Sequence, residues 1–422
     1  MRLSGSFALA LVVAGCNGDA DGASESAGST DAGATAGTST TAASASTGGS
    51  VSATSEGTGT STTGQESTST SAVSDASTSG SSTSTTGATP PPCDPAAFCA
   101  GADEAGICRH ELTLADGMSI YYWGNLSLTP EFAESGCQAE VERLVLVQHG
   151  NSRNPWSYFD SVVDAAVAAG VDDRTLIIAP YFPSFLDGPP PGFHLWAPGS
   201  SGWKSGDAST TPPGTSSFAV YDELLLDHIA DTQRFPALTE VVVTGHSAGG
   251  QFSQRYAVAS EADAAPSLAH LSFRYVVLNP SSWLYLDAYR WDGEGAPPDV
   301  AFALPNATGC DDTYDDYKYG LAGIPLGHYV GDHLGAIPAS FLDRDVTYLL
   351  GDADTQIDDG LDVSCEAYLQ GANRYERGQV FAAYLDARYP AQEHALVVVP
   401  GVGHSKSGMY ESAVGVATLF PK

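Results

Sequence analysis

The sequence predicts an α/β protein whose core is a mainly parallel β-sheet with helices on both faces. Two observations carry this prediction. Short apolar runs alternate with stretches that fit a helix between residues 144 and 419, and this alternation is typical of parallel sheets covered by helices. In addition, the apolar run at 241–243 leads directly into the sequence GHSAGG at 245–250, which has the G-x-S-x-G form of a tight strand-to-helix turn.

The elements before and after that turn follow from local patterns. An antiparallel hairpin is predicted at the start, because strand-like segments flank Asp116 and Gly117, a dipeptide typical of two-residue turns. Its strands are predicted at 111–114 and 118–123. Further strands are predicted at 144–148, 175–179, 241–244, 275–278, 346–350 and 395–399, and helices at 156–169, 218–232, 376–388 and 407–419.

Two long segments, 183–214 and 283–337, interrupt the alternation and are treated as loop insertions. They include the aromatic residues Phe193, Trp196, Trp203, Trp291, Tyr314, Tyr317 and Tyr319. Such residues are compatible with a pocket wall and a lid over the site. They are equally compatible with a satellite core under long loops, and the sequence favours neither interpretation.

The composition divides the chain into three parts. Residues 1–16 have a short apolar core after a positive start, which is typical of an export signal. That segment ends in VAGC, which resembles the bacterial lipobox and marks Cys16 as a lipidated N-terminus; Asn17 after it favours the outer membrane. Residues 17–92 are almost entirely Ser, Thr, Gly and Ala, and are predicted to be a disordered tether that reaches about 50 Å. Residues 93–422 are predicted to be one folded domain.

The remaining six cysteines are even in number, and an exported chain is expected to form disulfides. The simplest partition pairs Cys310 with Cys365 and leaves two bridges within the N-terminal group, whose pairing the sequence leaves open. That group consists of Cys93, Cys99, Cys108 and Cys137. We expect no structural zinc, because no C-x-x-C sequence occurs, and we expect no cofactor.

The charge is strongly negative. The net charge is −33, of which residues 93–422 contribute −27 and the tether −7. A surface of this sign repels nucleic acid and anionic membranes. We therefore expect neither as a partner, and expect contact with a membrane only through the lipid anchor. The oligomeric state is left open.

The serine of the tight turn and two later residues are the candidates for nucleophilic catalysis. Ser247 would be lifted clear of the sheet by the turn. Asp354 follows the strand predicted at 346–350, and His404 follows the strand at 395–399. Polar residues beyond the carboxyl ends of parallel strands are expected to meet at one edge of the sheet. Asp352 competes with Asp354 for the acid position.

These residue types fit the chemistry of acyl transfer. A histidine with an ordinary pKa near neutrality takes the serine proton, and an aspartate holds the imidazole in one tautomer. A developing oxyanion needs two donors. The geometry of the turn makes the backbone N–H of Ala248 one donor, and the second is expected from the loop HGNS at 149–152. Asp358 and Asp359 are interpreted as solvated loop charges, and the other histidines as structural, with His246, next to Ser247 in the sequence, expected to pack against the neighbouring loop.

From about residue 111 to 422 the chain resembles the α/β-hydrolase family. The resemblance rests on the turn at 245–250, on an acid and a histidine after strand ends, and on the order Ser, Asp, His along the chain. The segments 245–256 and 279–283 are also similar to polyhydroxyalkanoate depolymerases and feruloyl-esterase-like enzymes. The resemblance implies a serine hydrolase of small-molecule or polymeric carboxylic esters, anchored by lipid in the cell envelope or released from it. It also implies Asp354, rather than Asp352, as the acid, because its distance past the strand matches the acid of the family. For the second oxyanion donor it implies the N–H of Asn151, with Ser152 as the alternative.

Two alternatives remain at this stage. A peptidase or amidase of the same fold would use the same residues. A non-catalytic surface protein could also retain such a fold, although an intact Ser, Asp and His set argues against it.

Overall fold

A computed structural model describes most of the predicted folded domain. The described residues are 101–102, 108–129, 132, 136–197, 202–306, 310 and 313–422. The predicted signal peptide with Cys16, the predicted tether, Cys93 and Cys99 lie outside them. Within these described segments, no helix combines the length and the apolar character needed to cross a bilayer.

A sheet of nine strands forms the centre, in the order β1-β2-β3-β5-β4-β8-β9-β12-β13. Its strands are β1 Gly101–Ala102, β2 Cys108–Thr113, β3 Ser119–Gly124, β4 Arg143–Gln148, β5 Thr175–Pro180, β8 Glu240–His246, β9 Ser272–Leu278, β12 Asp345–Gly351 and β13 Ala395–Val399. In this spatial order, every neighbouring pair from β5 through β4, β8, β9 and β12 to β13 is parallel. The pairs β1 with β2, β2 with β3 and β3 with β5 are antiparallel. The predicted fold class and the N-terminal hairpin are confirmed.

Alternate residues of the central strands point into two separate cores. On β8, Val241 and Val243 belong to one apolar cluster, and Val242 belongs to the other. Because both faces of the sheet are buried, these strands appear in the sequence as continuous apolar runs. The first core packs against the helices Ser217–Glu223, Ala248–Ala259 and Arg374–Arg388, and the second against Pro155–Ala169, Lys406–Tyr410 and Ala413–Leu419.

The C-terminal helix differs from the prediction. One helix was expected at 407–419, but the structure has two, with a break after Tyr410. Ser412 begins the second helix, and its hydroxyl accepts from the Gly415 N–H at 2.8 Å. A Cβ on Gly415 would overlap the backbone oxygen of Met409. This close approach of two backbones depends on tertiary packing and leaves no periodicity signal.

The long insertions contain structure that the sequence did not predict. Two short hairpins, β6 Ala208–Thr210 with β7 Pro213–Ser216 and β10 Arg290–Ala296 with β11 Asp299–Ala303, lie within them. In the first insertion Phe185 is 63% exposed, whereas Phe193, Trp196 and Trp203 are buried at 6%, 0% and 3% exposure. They belong to the core rather than to a pocket wall. Short helices occur at Tyr329–Asp332, Ala339–Leu342 and Cys365–Tyr368. The helix predicted at 218–232 ends earlier than expected, in a π-helical turn at Leu224–Ile229.

Disulfides occur in the second insertion and in the N-terminal region. Cys310 and Cys365 are bonded, with their Cα atoms 5.4 Å apart, as the sequence predicted. Cys108 and Cys137 each take part in a disulfide as well.

Candidate active site

Ser247 occupies the strained turn between β8 and the helix Ala248–Ala259. Its backbone has φ 62° and ψ −119°, a conformation that L-residues rarely adopt. The Ser247 N–H donates to the Leu278 carbonyl on β9 at 3.0 Å, which anchors the turn to the neighbouring strand. The serine is half-buried, so its hydroxyl remains accessible at the edge of the sheet.

The glycines around Ser247 are required because three backbones meet there. A Cβ at Gly245 would overlap the backbone of Gly249, and a Cβ at Gly249 would overlap the carbonyl oxygen of Gln148 at the end of β4. A Cβ at Gly250 would overlap the carbonyl oxygen of Leu278. The pattern G-x-S-x-G-G is therefore dictated by close approach of the helix to β4 and β9.

The structure brings Ser247, His404 and Asp354 together. The Ser247 Oγ lies 2.9 Å from His404 Nε2, and His404 Nδ1 lies 2.7 Å from Asp354 Oδ2. An ionised carboxylate only accepts hydrogen bonds, so Nδ1 carries the proton and Nε2 is left to accept from the serine hydroxyl. Asp354 is 1% exposed, whereas the His404 side chain is 23% exposed. This geometry suits transfer of the serine proton to the imidazole.

Asp352 has a different partner. Its Oδ1 accepts from the Gly401 N–H at 2.6 Å, so it holds the turn that follows β13. The adjacent Ala353 N–H donates to the Val402 carbonyl at 3.0 Å. The sequence left both aspartates open as the acid, and the geometry places only Asp354 against His404.

Asn279 supports the candidate acid, although sequence reasoning did not single it out. Its Nδ2 donates to Asp354 Oδ2 at 2.8 Å, and its Oδ1 accepts from the Gly351 N–H at 3.0 Å. Asn279 has φ 42°, a left-handed conformation that asparagine tolerates better than most residues. Its position directly after β9 was the only signal that could have indicated a role.

Arg374 supplies a positive charge on the other side of Asp354. The guanidinium is fully buried and lies 3.6 Å from Asp354 Oδ1, while it forms two bonds with Asp358 at 2.8 and 2.7 Å. Burial alone would raise the pKa of Asp358, but the bonds to Arg374 bring it below its ordinary value. The Asp358 side chain is 40% exposed, which agrees with its interpretation as a solvated loop charge, but it is also paired with Arg374, which lies 16 residues downstream.

His246 stacks on the candidate catalytic histidine. The ring centroids of His246 and His404 are 4.5 Å apart, and His246 is 3% exposed. Burial, and then the charge of His404, hold its pKa well below the ordinary value, so the ring stays neutral. Neither of its ring nitrogens has a hydrogen-bond partner among the residues that the structure describes.

The candidate oxyanion donors lie where β4 meets the nucleophile helix. That helix begins at Ala248, whose N–H therefore has no intrahelical acceptor. The buried His149 fixes the facing loop: its Nδ1 donates to the Gly150 carbonyl at 2.9 Å, and its Nε2 accepts from the Phe182 N–H at 3.2 Å. Burial lowers the pKa of His149 to about 3. Asn151 follows in an exposed turn.

The described residues offer no cluster of three His, Cys, Asp or Glu side chains suited to a metal ion. The chemistry available at this site is that of a serine, an imidazole, a buried carboxylate and backbone N–H groups.

Comparison with known proteins bears on the fold. A sequence profile of the alpha/beta hydrolase family matches residues 144–419, more than half of the chain. None of the curated proteins matches. Solved structures with similar folds include the poly(3-hydroxybutyrate) depolymerase LpqC from Bordetella parapertussis, with 22% identity over 74% of this chain and 88% of that one and a TM-score of 0.46. Poly(aspartic acid) hydrolase-1 from Sphingomonas sp. KT-1 shares 22% identity over 72% of this chain and 96% of its own, with a TM-score of 0.47.

Proposed function

The chain belongs to the alpha/beta hydrolase family, and from that premise we propose that it is a serine hydrolase that cleaves carboxylic esters through an acyl-enzyme on Ser247. The observation that carries the proposal is the continuous pair of hydrogen bonds from Ser247 Oγ to His404 and from His404 to Asp354, at 2.9 and 2.7 Å. In the proposed reaction these three side chains act as nucleophile, general base and orienting acid.

The steps follow from the geometry. His404 Nε2 takes the proton as Ser247 Oγ attacks the ester carbonyl, and the imidazolium is stabilised by the Asp354 carboxylate. The N–H groups of Ala248 and Asn151 stabilise the oxyanion of the tetrahedral intermediate. Its collapse expels the alcohol, which receives the proton from His404. Water then attacks the acyl-enzyme by the same route and releases the acid.

Fluorophosphonate labelling followed by peptide mass spectrometry tests the nucleophile. We expect an adduct on Ser247, no adduct in Ser247→Ala and much weaker labelling in His404→Ala. Ser253→Ala is a matched control, because this buried serine lies on the same helix and its hydroxyl makes no hydrogen bond with any described residue. Absence of labelling in folded wild-type protein would reject the proposal in favour of a non-catalytic surface protein.

A substrate panel separates the ester reaction from its alternative. Short-chain 4-nitrophenyl esters, an insoluble polyester and aminoacyl anilides are compared at equal enzyme concentration. We expect turnover of esters and none of the anilides. Anilide hydrolysis at a comparable kcat/KM would assign the protein as a peptidase or amidase.

We also propose that the protein is exported and anchored by a lipid on Cys16, with residues 17–92 as a tether. The Cys310–Cys365 disulfide supports an oxidising compartment. Intact-mass analysis of membrane-extracted protein is expected to give an acylated chain that begins at Cys16. A soluble product without acyl groups would refute the anchor and leave the hydrolase proposal untouched.

A further inference from the structure

Asp358 is a loop carboxylate that is linked to the candidate triad through the buried Arg374. Its side chain is 40% exposed, whereas the side chain of Arg374 is fully buried. Asp358 Oδ2 accepts from Arg374 Nη1 at 2.8 Å, and Asp358 Oδ1 accepts from Arg374 Nη2 at 2.7 Å. A bidentate pair of this kind fixes the plane of the guanidinium as well as its position.

One nitrogen of this guanidinium faces both Asp358 and the candidate acid. Arg374 Nη1 lies 2.8 Å from Asp358 Oδ2 but 3.6 Å from Asp354 Oδ1, which is too far for a hydrogen bond. Arg374 is therefore bonded to the outer carboxylate and only close to the inner one. A full bond from Arg374 to Asp354 would compete with the imidazole of His404 for the charge of that carboxylate.

Local structure holds Asp358 in this position. Its Oδ1 also accepts from the Gly360 N–H at 2.9 Å. The helix Arg374–Arg388 begins against the loop of the candidate acid, because the Tyr375 N–H donates to the Asp354 carbonyl at 3.2 Å. Burial alone would raise the pKa of Asp358, but the bonds to the guanidinium bring it below its ordinary value, so the carboxylate is ionised at neutral pH.

We propose that Asp358 is a positioning residue for catalysis, which holds Arg374 away from Asp354. The charge of Asp354 thereby stays available to the imidazole of His404. This inference rests on the proposed ester hydrolase activity. During acyl transfer the imidazole gains a proton, and a carboxylate that shares its charge with a bonded arginine stabilises the imidazolium less.

The titratable and charged groups around the imidazole of His404 come from several elements of the fold. They are Ser247 and His246 at the end of β8, Asp354 and Asp358 in the loop after β12, Arg374 at the start of its helix, and Lys406 two residues after the histidine. The two cations oppose protonation of the imidazole, and the carboxylates favour it. Without the charge of Asp358, the imidazole is therefore expected to give up its proton at a lower pH.

Asp358→Asn tests the proposal, and Asp359→Asn is its matched control. Asp359 is the next residue along the chain, is exposed and loses the same charge. With a neutral 4-nitrophenyl ester, we expect Asp358→Asn to lower kcat by about five- to tenfold and to leave KM within about twofold of wild type. Asp359→Asn is expected to keep the wild-type kcat. Circular dichroism melts verify folding, and equal kcat values for the two variants would overturn the proposal.

The pH profile of kcat/KM separates this role from a purely structural one. With the charge of Asp358 removed and Arg374 free to bond to Asp354, the neutral imidazole persists to lower pH. We expect the acid limb of the profile to move to lower pH by about half a unit in Asp358→Asn and to keep its wild-type position in Asp359→Asn. A lower kcat with an unmoved acid limb would contradict the proposal, because displaced side chains alone give that result.

A second substitution tests the part played by Arg374. In the Asp358→Asn, Arg374→Met double variant the competing cation is absent, and removal of both partners of a buried pair is tolerated better than removal of one. We expect the double variant to regain at least about threefold in kcat over Asp358→Asn, with its acid limb back near the wild-type position. A folded double variant that is slower than Asp358→Asn would show that Asp358 does not act through Arg374.

Failure of this inference and failure of the hydrolase proposal give different results. Folded wild-type protein that cleaves no ester rejects the hydrolase. Active wild-type protein whose Asp358→Asn and Asp359→Asn variants behave alike rejects the role of Asp358. As a readout without turnover, NMR titration of the His404 ring protons is carried out in Ser247→Ala protein. Adding Asp358→Asn should move that titration to lower pH, and identical curves would also overturn the inference.

Discussion

Replacing Asp354 by asparagine tests the proposed triad at its most buried member. Oδ2 of this carboxylate accepts hydrogen bonds from His404 Nδ1 at 2.7 Å and Asn279 Nδ2 at 2.8 Å. Its Oδ1 faces Arg374 Nη1 at 3.6 Å. All three of these neighbouring groups are therefore hydrogen-bond donors, and a carboxylate is the side chain that can accept from all of them.

An amide at position 354 fits this environment in neither orientation. With its oxygen toward His404, its NH₂ group points at the Arg374 guanidinium. With its NH₂ toward His404, it opposes the donor on Asn279, and the imidazole is left protonated at Nε2, where it cannot accept from the serine. The wrong tautomer in a serine protease triad costs about 10⁴ in kcat, or about 5.5 kcal/mol. We expect Asp354→Asn to lower kcat/KM by about 10³ to 10⁴.

Asp352→Asn is the matched control, because it makes the same chemical change two residues away. The amide oxygen can still accept from the Gly401 N–H that Asp352 binds at 2.6 Å. We expect kcat/KM to stay within about threefold of wild type, since one neutral hydrogen bond replaces a charged one. Initial rates with a neutral 4-nitrophenyl ester measure both variants, and circular dichroism melts verify their folding. Greater damage in Asp352→Asn, or more than a tenth of wild-type activity in Asp354→Asn, would refute this reasoning.

Three further outcomes follow from the packing around the site. Gly249→Ala should lower kcat by about 10² or more, because the added Cβ overlaps a β4 carbonyl and displaces the oxyanion donors; unchanged kcat in the folded variant would contradict this. Burial lowers the pKa of His149 to about 3, so between about pH 3 and 6.5 this histidine is protonated in the unfolded chain but neutral in the folded protein. Over that range the free energy of unfolding therefore rises with pH, by up to about 1.4 kcal/mol per pH unit. In urea titrations from pH 4 to 7, His149→Gln should flatten that slope, and parallel curves would disprove the assignment. The Cys310→Ser, Cys365→Ser double variant should lose about 4 kcal/mol of stability, because the bridge closes a loop with a sequence separation of 55; an unchanged denaturation midpoint would argue against this.

The sequence allowed the central sheet and the candidate triad to be predicted for a physical reason. Strands buried on both faces give apolar runs such as 241–243, and parallel strands end at a common edge. Ser247, Asp354 and His404 each follow such a run within a few residues. Proximity to a predicted strand end was therefore enough to identify these three residues as candidates from the sequence.

The supporting residues could not be predicted in that way. Arg374 begins a helix 20 residues after the acid that it faces, and its contacts with Asp354 and Asp358 depend on how that helix packs. Long-range pairs of charged side chains leave no periodicity in the sequence, so a buried ion pair appears there as two solvated residues.

The contact between His404 and Ser247 requires a specific fold of the loop after β13. In the sheet, β8 and β13 are separated by β9 and β12, so their strand ends are about 14 Å apart. Nevertheless His404 Nε2 lies 2.9 Å from Ser247 Oγ. The loop that follows β13 therefore brings His404 back toward the end of β8.

Asp352 helps to hold this loop in place. It lies directly after β12, and its carboxylate accepts from the Gly401 N–H, which binds the start of the histidine loop to the end of the neighbouring strand. Gly401 has φ 75°, a left-handed conformation that lets the loop reverse at this point. Asp352 thus holds the start of the loop that carries His404, and Asp354 accepts the hydrogen bond from the His404 imidazole.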